Sequence, residues 1–137
     1  MNWVMGSWGH KTFDNDSAWD WFGDLTQSNE ASLVGDALDV VANAAEDNDL
    51  EVDEASAALA AAELVAAALD KGDDRLNADA AAWLTIHRAA VREIGAARAR
   101  KAVARAYESS ELRELWDENG EDTEWHRDVR ELLTRLV

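Results

Sequence analysis

Cysteine is missing from this sequence altogether, and with it go disulfide staples, thiolate metal sites and cysteine nucleophiles. Proline is missing too, so no residue breaks a helix by lacking a backbone donor. Glycine is held to seven residues, while alanine, the best helix former, supplies twenty-seven. β-Branched residues are few and never alternate with polar ones over a useful length, which leaves no strand pattern. Long apolar runs are also wanting. The stretch from Ala57 to Leu69 is alanine-rich, is interrupted by Glu63 and falls well short of a membrane span. The first residues, MNWVMGSWGHKTFDND, carry no basic segment followed by an apolar run and do not read as a signal peptide. The cytoplasm is therefore the expected compartment.

What remains is helix former, aromatic rings and acid. A chain of 137 residues fits one domain, and leucine, valine and seven tryptophans give it apolar surface for a core. The expected fold is all-α: a single irregular bundle of about six helices spanning residues 1–137, with an irregular N-terminal lead-in.

Basic residues are scarce in one half only. Residues 1–74 hold seventeen carboxylates against Lys11 and Lys71, and residues 75–137 hold twelve against Lys101 and all ten arginines. Nearly the whole net charge of −16 thus belongs to the first half. Phosphates would be repelled there, so nucleic acid is not an expected ligand, and neither is a membrane surface. A basic protein partner is the interaction such a half favours. The plainer alternative is that the acid keeps the chain soluble.

Helix signals recur along the chain. Asp16 is placed to cap a helix to about Gln27 with Trp19, Phe22 and Leu25 on one side. Ser28 or Asn29 caps a second, with the stripe Leu33, Ala37, Leu38, Val41, ending near Glu46. After a polar connection, Asp53 caps a third in which Leu59, Ala62, Ala66 and Leu69 recur at helical steps, and Lys71-Gly72 closes it with glycine in the left-handed position. Asn77 opens a region reaching to about Tyr107. Trp83, Ile86, Ala90, Val91 and Ile94 mark one face, whereas Ala99, Val103 and Tyr107 mark a nearly opposite one. The switch at Gly95 means either a break or a helix covered on opposite sides in its two halves. Ser109 caps a short helix from Glu111 to Glu118, and Asp122 or Thr123 caps a last one with the stripe Trp125, Val129, Leu132, Leu136.

Met5-Gly6-Ser7-Trp8-Gly9, then Phe13-Asp14-Asn15-Asp16-Ser17-Ala18 and Asp20-Trp21, resemble a bacterial family known as domain of unknown function 4259. The similarity continues through Ala57 to Ala67, through Ser110-Glu111-Leu112-Arg113-Glu114-Leu115-Trp116, and to Trp125 and Arg135-Leu136, nearly the whole chain. Members of that family start at the methionine matching Met5, so residues 1–4 read as an N-terminal extension or a misplaced start, and Lys11-Thr12 depart from the usual lead to the phenylalanine. The resemblance implies an all-α fold. It brings no established activity and no catalytic residue.

Few constellations could carry chemistry. Asp14, Asp16 and Asp20, near His10, can be drawn as ligands of a hard cation, but a calcium loop needs glycine at its sixth place and glutamate at its twelfth. Counted from Asp14, those places hold Trp19 and Leu25. The preferred reading is structural: Asp14 and Asn15 shape a turn, Asp16 caps the helix, and Trp8 and Phe13 dock the lead-in. Asp47, Asp49, Glu51 and Asp53 fail the same test, with Val52 and Ala58 at the two places, and read as a solvated or partner-facing acidic connection. Glu63, alone in an apolar helix, is expected to be partly buried and paired with an arginine such as Arg88 or Arg92; a raised pKa would make it a general acid or base. The basic stretch Arg88, Arg92, Arg98, Arg100, Lys101, Arg105 is expected to neutralise the acidic first half. His87 and His126 lack a matching acid pattern, and no zinc, phosphate-loop or nucleophile-elbow motif occurs.

The functional expectation is therefore a non-catalytic protein-interaction or accessory protein with no cofactor and no bound metal, of which an immunity- or antitoxin-like role is one version. The alternatives are a small carboxylate-based or metal-dependent enzyme, with Asp14, Asp16, Asp20 and Glu63 as the residues to test, and a pocket built from tryptophans. The residues expected to matter are Trp8, Asp14, Asn15, Asp16, Asp20, Asp47, Asp49, Glu51, Asp53 and Glu63.

Overall fold

A computed structural model describes residues 16–28, 30–45, 50–71, 78–120 and 122–136, with backbone alone at 16 and 17. Seven helices and no strand run through these residues: α1 (Asp16–Ser28), α2 (Ser32–Ala42), α3 (Val52–Ala68), α4 (Ala78–Ile94), α5 (Ala96–Glu108), α6 (Glu111–Asp117) and α7 (Glu124–Arg135).

The alanine-rich segment becomes the centre. α3 touches all six other helices, and Ala55, Ser56, every residue from Ala58 to Ala66, and Ala68 are buried. The expected stripe is thus replaced by burial all round, as befits a helix that is apolar on every side. Alanine's lack of bulk lets the neighbouring helices approach. α2 and α5 pack closely on α3 and on each other, and α1 and α4 lie against it as well. An aromatic cluster closes the C-terminal end. Trp116 and Trp125 stack with centroids 6.1 Å apart, Tyr107 stacks on Trp125 at the same distance, and the Arg113 guanidinium sits 4.6 Å from the centre of the Tyr107 ring.

Several boundaries differ from the expectation. α3 starts two residues earlier, with Glu51 rather than Asp53 at its N-cap, and Glu54 Oε1 accepts a hydrogen bond from the Glu51 N–H at 3.1 Å. A glutamate three residues into the helix reaches back, as in a capping box. α2 begins after Ala31 without a side-chain cap and ends at Ala42, four residues short of Glu46. Ser28 Oγ accepts the Glu30 N–H in the connection instead. At the far end of α3 the left-handed residue is Asp70 (φ 62°), while Gly72 lies outside the described residues, as does Asn77. The Asp70 N–H bonds the Ala67 carbonyl and the Lys71 N–H bonds the Ala66 carbonyl, the paired bonds of a Schellman ending. Arg88 and Arg92 of α4 donate to the Ala67 and Ala68 carbonyls and to the Asp70 carboxylate, which holds an aspartate where glycine is the usual occupant.

Gly95 breaks the long helical region. Its φ of 88° and ψ of 152° lie where only glycine is at ease, so α4 and α5 are separate helices. α4 buries Ala80, Trp83, Leu84 and Val91, but Ile86 is 76% exposed and Ala90 is exposed, contrary to the face read from spacing. α4 leans mainly on α3, so a narrow face is covered. In α1, Ala18, Phe22 and Leu25 are buried, and Trp19 is 40% exposed. Ser110, not Ser109, caps α6 by accepting the Arg113 N–H at 3.0 Å. Thr123 caps α7, whose stripe Trp125, Val129, Leu132, Leu136 is buried as its spacing predicts.

Candidate functional site

α1 and α2 both lie on α3 and make little contact with each other. Between them runs a groove of about 440 Å³, floored at the N-terminal end of α3. Its apolar lining is Trp21, Leu33, Ala37, Val40 and Ala57, and its carboxylates are Asp20 and Asp24 on α1, Asp36 on α2, and Asp53 and Glu54 on α3. Among the described residues, no lysine, arginine or histidine lines it. Helical geometry explains the grouping. Asp20 and Asp24 are four apart and share a face of α1, and Leu33, Asp36, Ala37 and Val40 fall at steps of three and four along α2. Val40 is 51% exposed, a large apolar side chain left open to solvent.

The contrast with Asp39, on the same helix, shows what pairing does. Arg98 Nε and Nη2 grip both Asp39 oxygens at 2.9 and 2.6 Å. Those hydrogen bonds hold the Asp39 carboxyl below its usual range, against a smaller opposing effect of burial. Gly35 makes room for the guanidinium: a Cβ there would sit 2.8 Å from Arg98 Nη2.

Of the residues singled out from sequence, Asp20 and Asp53 meet in the groove although thirty-three positions separate them. Glu51 is exposed beside it, with its backbone tied to Glu54. Trp8, Asp14, Asn15, Asp47 and Asp49 lie outside the described residues, as does the Asp16 side chain and hence its expected cap. Glu63 is elsewhere, and its partner is neither Arg88 nor Arg92. It is 2% exposed and receives Arg135 of α7 at 2.8 Å (Nη2 to Oε1) and 3.2 Å (Nη1 to Oε2). Arg88 and Arg92 reach only the carboxyl end of α3, one turn further on. Arg135 also donates to Glu131 at 2.7 Å. Burial works against the Arg135 charge, but the bonds to the two glutamates outweigh it and raise its pKa. A glutamate fastened in this way is a structural clasp. The acid of the second helix, Asp36 included, is expected from the sequence to stay exposed; sequence reading missed Asp24, Val40 and Glu54, whose only signal was the acid and apolar spacing along α1, α2 and the start of α3.

A carboxylate–imidazole–hydroxyl chain lies at the other end of the molecule, and it too went unread. His126 Nε2 is 2.7 Å from Asp117 Oδ1, and Nδ1 is 2.7 Å from Thr123 Oγ1. The distances are those of a proton relay, but the surroundings are not. His126 is fully buried, its Nδ1 accepts the Thr123 N–H at 3.1 Å, and Thr123 Oγ1 caps α7 through the His126 N–H. The three side chains fasten α6 to α7. Burial opposes the Asp117 charge, yet hydrogen bonds from Arg113 and His126 prevail and hold its carboxyl below the usual range. Among the described residues no three side chains of histidine, cysteine, aspartate or glutamate are grouped so as to hold a metal ion. No helix among them is long and apolar enough to cross a membrane.

Residues 6–128 match the family described as Domain of unknown function (DUF4259). The match spans most of the chain. This protein belongs to that family. The all-α expectation drawn from the resemblance agrees with the seven helices observed. No curated protein and no solved structure matches the chain.

Proposed function

We propose that this member of the DUF4259 family is a non-catalytic interaction protein of the bacterial cytoplasm, which receives a basic protein partner in the groove between α1 and α2. One observation carries the reading: among the described residues, five carboxylates and five apolar side chains line a single groove. Such a surface has two parts that act differently. The apolar floor supplies affinity when water leaves it, and the carboxylates draw in a positively charged partner and disfavour others. The field is reinforced by the rest of the first half, where acid is far in excess of base. Neutralising a basic partner's charge is also how a basic effector would be held in check, so an immunity- or antitoxin-like role is compatible with this geometry.

The test compares two quadruple charge reversals of equal size. One places lysine at Asp20, Asp24, Asp36 and Asp53. The other places lysine at Glu93, Glu108, Glu114 and Glu118, which are exposed and outside the groove lining. Proteins captured from host lysate at low salt and released at high salt should be lost with the first variant and kept with the second, both variants remaining helical by circular dichroism. Equal loss from both, or no salt-sensitive capture by the native chain, would contradict the proposal.

A further inference from the structure

We infer that the segment received by the groove is a single amphipathic helix, about two turns of which contact the protein, with an apolar strip flanked on both sides by lysine or arginine. This rests on the interaction reading above and narrows it to one kind of partner.

The walls exclude the main alternative. Both are α-helices, whose backbone amides and carbonyls are already bonded within each helix. An extended peptide lying over Trp21, Leu33, Ala37, Val40 and Ala57 would find no backbone groups to pair with, and its own N–H and C=O groups would be stranded against an apolar floor. A helix satisfies its backbone internally and brings only side chains to the groove.

The dimensions and relief agree with that occupant. Leu33 to Val40 is seven residues, about 10 Å along the α2 axis at 1.5 Å per residue. Two helical turns of a partner therefore span the wall. The lining residues of α2 repeat at three and four positions, as do the ridges of any partner helix, so the two surfaces can interdigitate. Ala37 and Ala57 keep the floor low between the larger Trp21, Leu33 and Val40, which leaves depth for leucine, isoleucine, phenylalanine or methionine at the partner's i, i+3 or i+4, and i+7 positions. Val40 and the half-buried Trp21 are the apolar groups such residues would cover.

Charge sets the flanks. Asp20 and Asp24 stand on the α1 side of the apolar floor, while Asp36 stands on the α2 side and Asp53 and Glu54 at the α3 end. A partner with cations on one edge only would leave one wall unmatched, so both edges of its strip carry lysine or arginine. A second copy of this chain is disfavoured as occupant, because two molecules of net charge −16 repel one another.

The probe is a pair of synthetic peptides identical in composition and charge. One has leucines at i, i+3, i+4 and i+7 flanked by lysines; the other is a scramble without the strip. Binding is followed by anisotropy of a peptide label and by the gain of helical circular dichroism. The striped peptide should bind at least about tenfold more tightly than the scramble, a difference of about 1.4 kcal/mol, and become helical on binding. Val40→Gln, at an exposed helical position, should weaken the striped peptide several-fold and leave the scramble unaffected. A proline in the middle of the strip should abolish binding. Equal, salt-sensitive binding of both peptides would overturn the helix inference while leaving the interaction reading standing. No binding by either at low salt would count against both. Concentration-dependent dimers of the native chain, dispersed by Val40→Gln, would overturn it in favour of a second copy.

Discussion

Acid is handled differently at the two ends of this molecule. Across α6 and α7, carboxylates meet partners from nearby in the chain: Asp117 meets the Arg113 guanidinium and the His126 imidazole, Asp122 meets Arg127 and Arg130, and Glu131 meets Arg135. Around α1, α2 and the start of α3, no basic residue stands in the last turn of any helix, and the groove carboxylates face one another across apolar ground. Asp39 is held by an arginine that comes from fifty-nine residues away. Pairing along the chain serves stability at one end, whereas at the other the acid gathers around an apolar groove.

The largest effect should come from the clasp that joins the two regions. Arg135→Ala leaves Glu63 buried without its guanidinium, and breaking a buried pair from one side costs about 3–5 kcal/mol. Urea unfolding would measure it. Replacing both partners together, as Glu63→Leu with Arg135→Met, should cost much less, because no charge is then stranded. Equal losses from the single and double changes would mean that packing, not charge, dominates at this site.

Next comes the break between α4 and α5. Gly95→Ala puts a side chain at φ 88°, ψ 152°, a conformation that costs about 1–3 kcal/mol for a residue with a Cβ. Space is not the difficulty, since nothing lies within 4 Å of the added atom. The loss should therefore be the same for alanine and serine in thermal or urea unfolding.

Acid titration separates the paired carboxylates from the rest. Asp39, Asp117 and Asp122 have folded pKa values below the ordinary aspartate value of 3.8. Each favours the folded state when pH is above the unfolded value. That contribution declines as pH drops below about 3.8 and is gone once the folded pKa is passed. Asp117→Asn should flatten part of this acid dependence in urea midpoints followed from neutral pH downwards. Asp36→Asn in the groove should change stability least, within about 0.5 kcal/mol, and any change should be a gain at low salt as like charges are thinned. A clear loss would show that the groove acid is structural and would erase the contrast between the two ends.

Much of the fold could be read before any coordinates, because periodicity reports which face of a helix is apolar. The α7 stripe, the Gly95 switch and the apolar run of α3 are cases in point. Periodicity does not report which element covers that face. Ile86 fits the apolar face of α4 by spacing, yet it is 76% exposed because no neighbour reaches it. The same limit applied to the sites. Glu63 was legible as a buried acid, but Arg135 lies seventy-two residues away, and the nearer Arg88 and Arg92 are occupied at the carboxyl end of α3. Asp20 and Asp53 were each legible as acid. Their meeting depends on α1 and α2 settling side by side on α3 without closing on each other, which is a matter of tertiary packing.

That arrangement has a consequence for how the molecule breathes. α3 is shared by every helix, so its amides can exchange with solvent only when most of the structure opens, whereas α1 has α3 as its principal support. A fluctuation that lifts α1 alone leaves the other contacts of α3 in place. It also removes one bank of the groove. The width of the groove is therefore set by a helix that rests mainly on α3, and a guest seated against Trp21 would slow exchange along α1 while leaving α3 as it was.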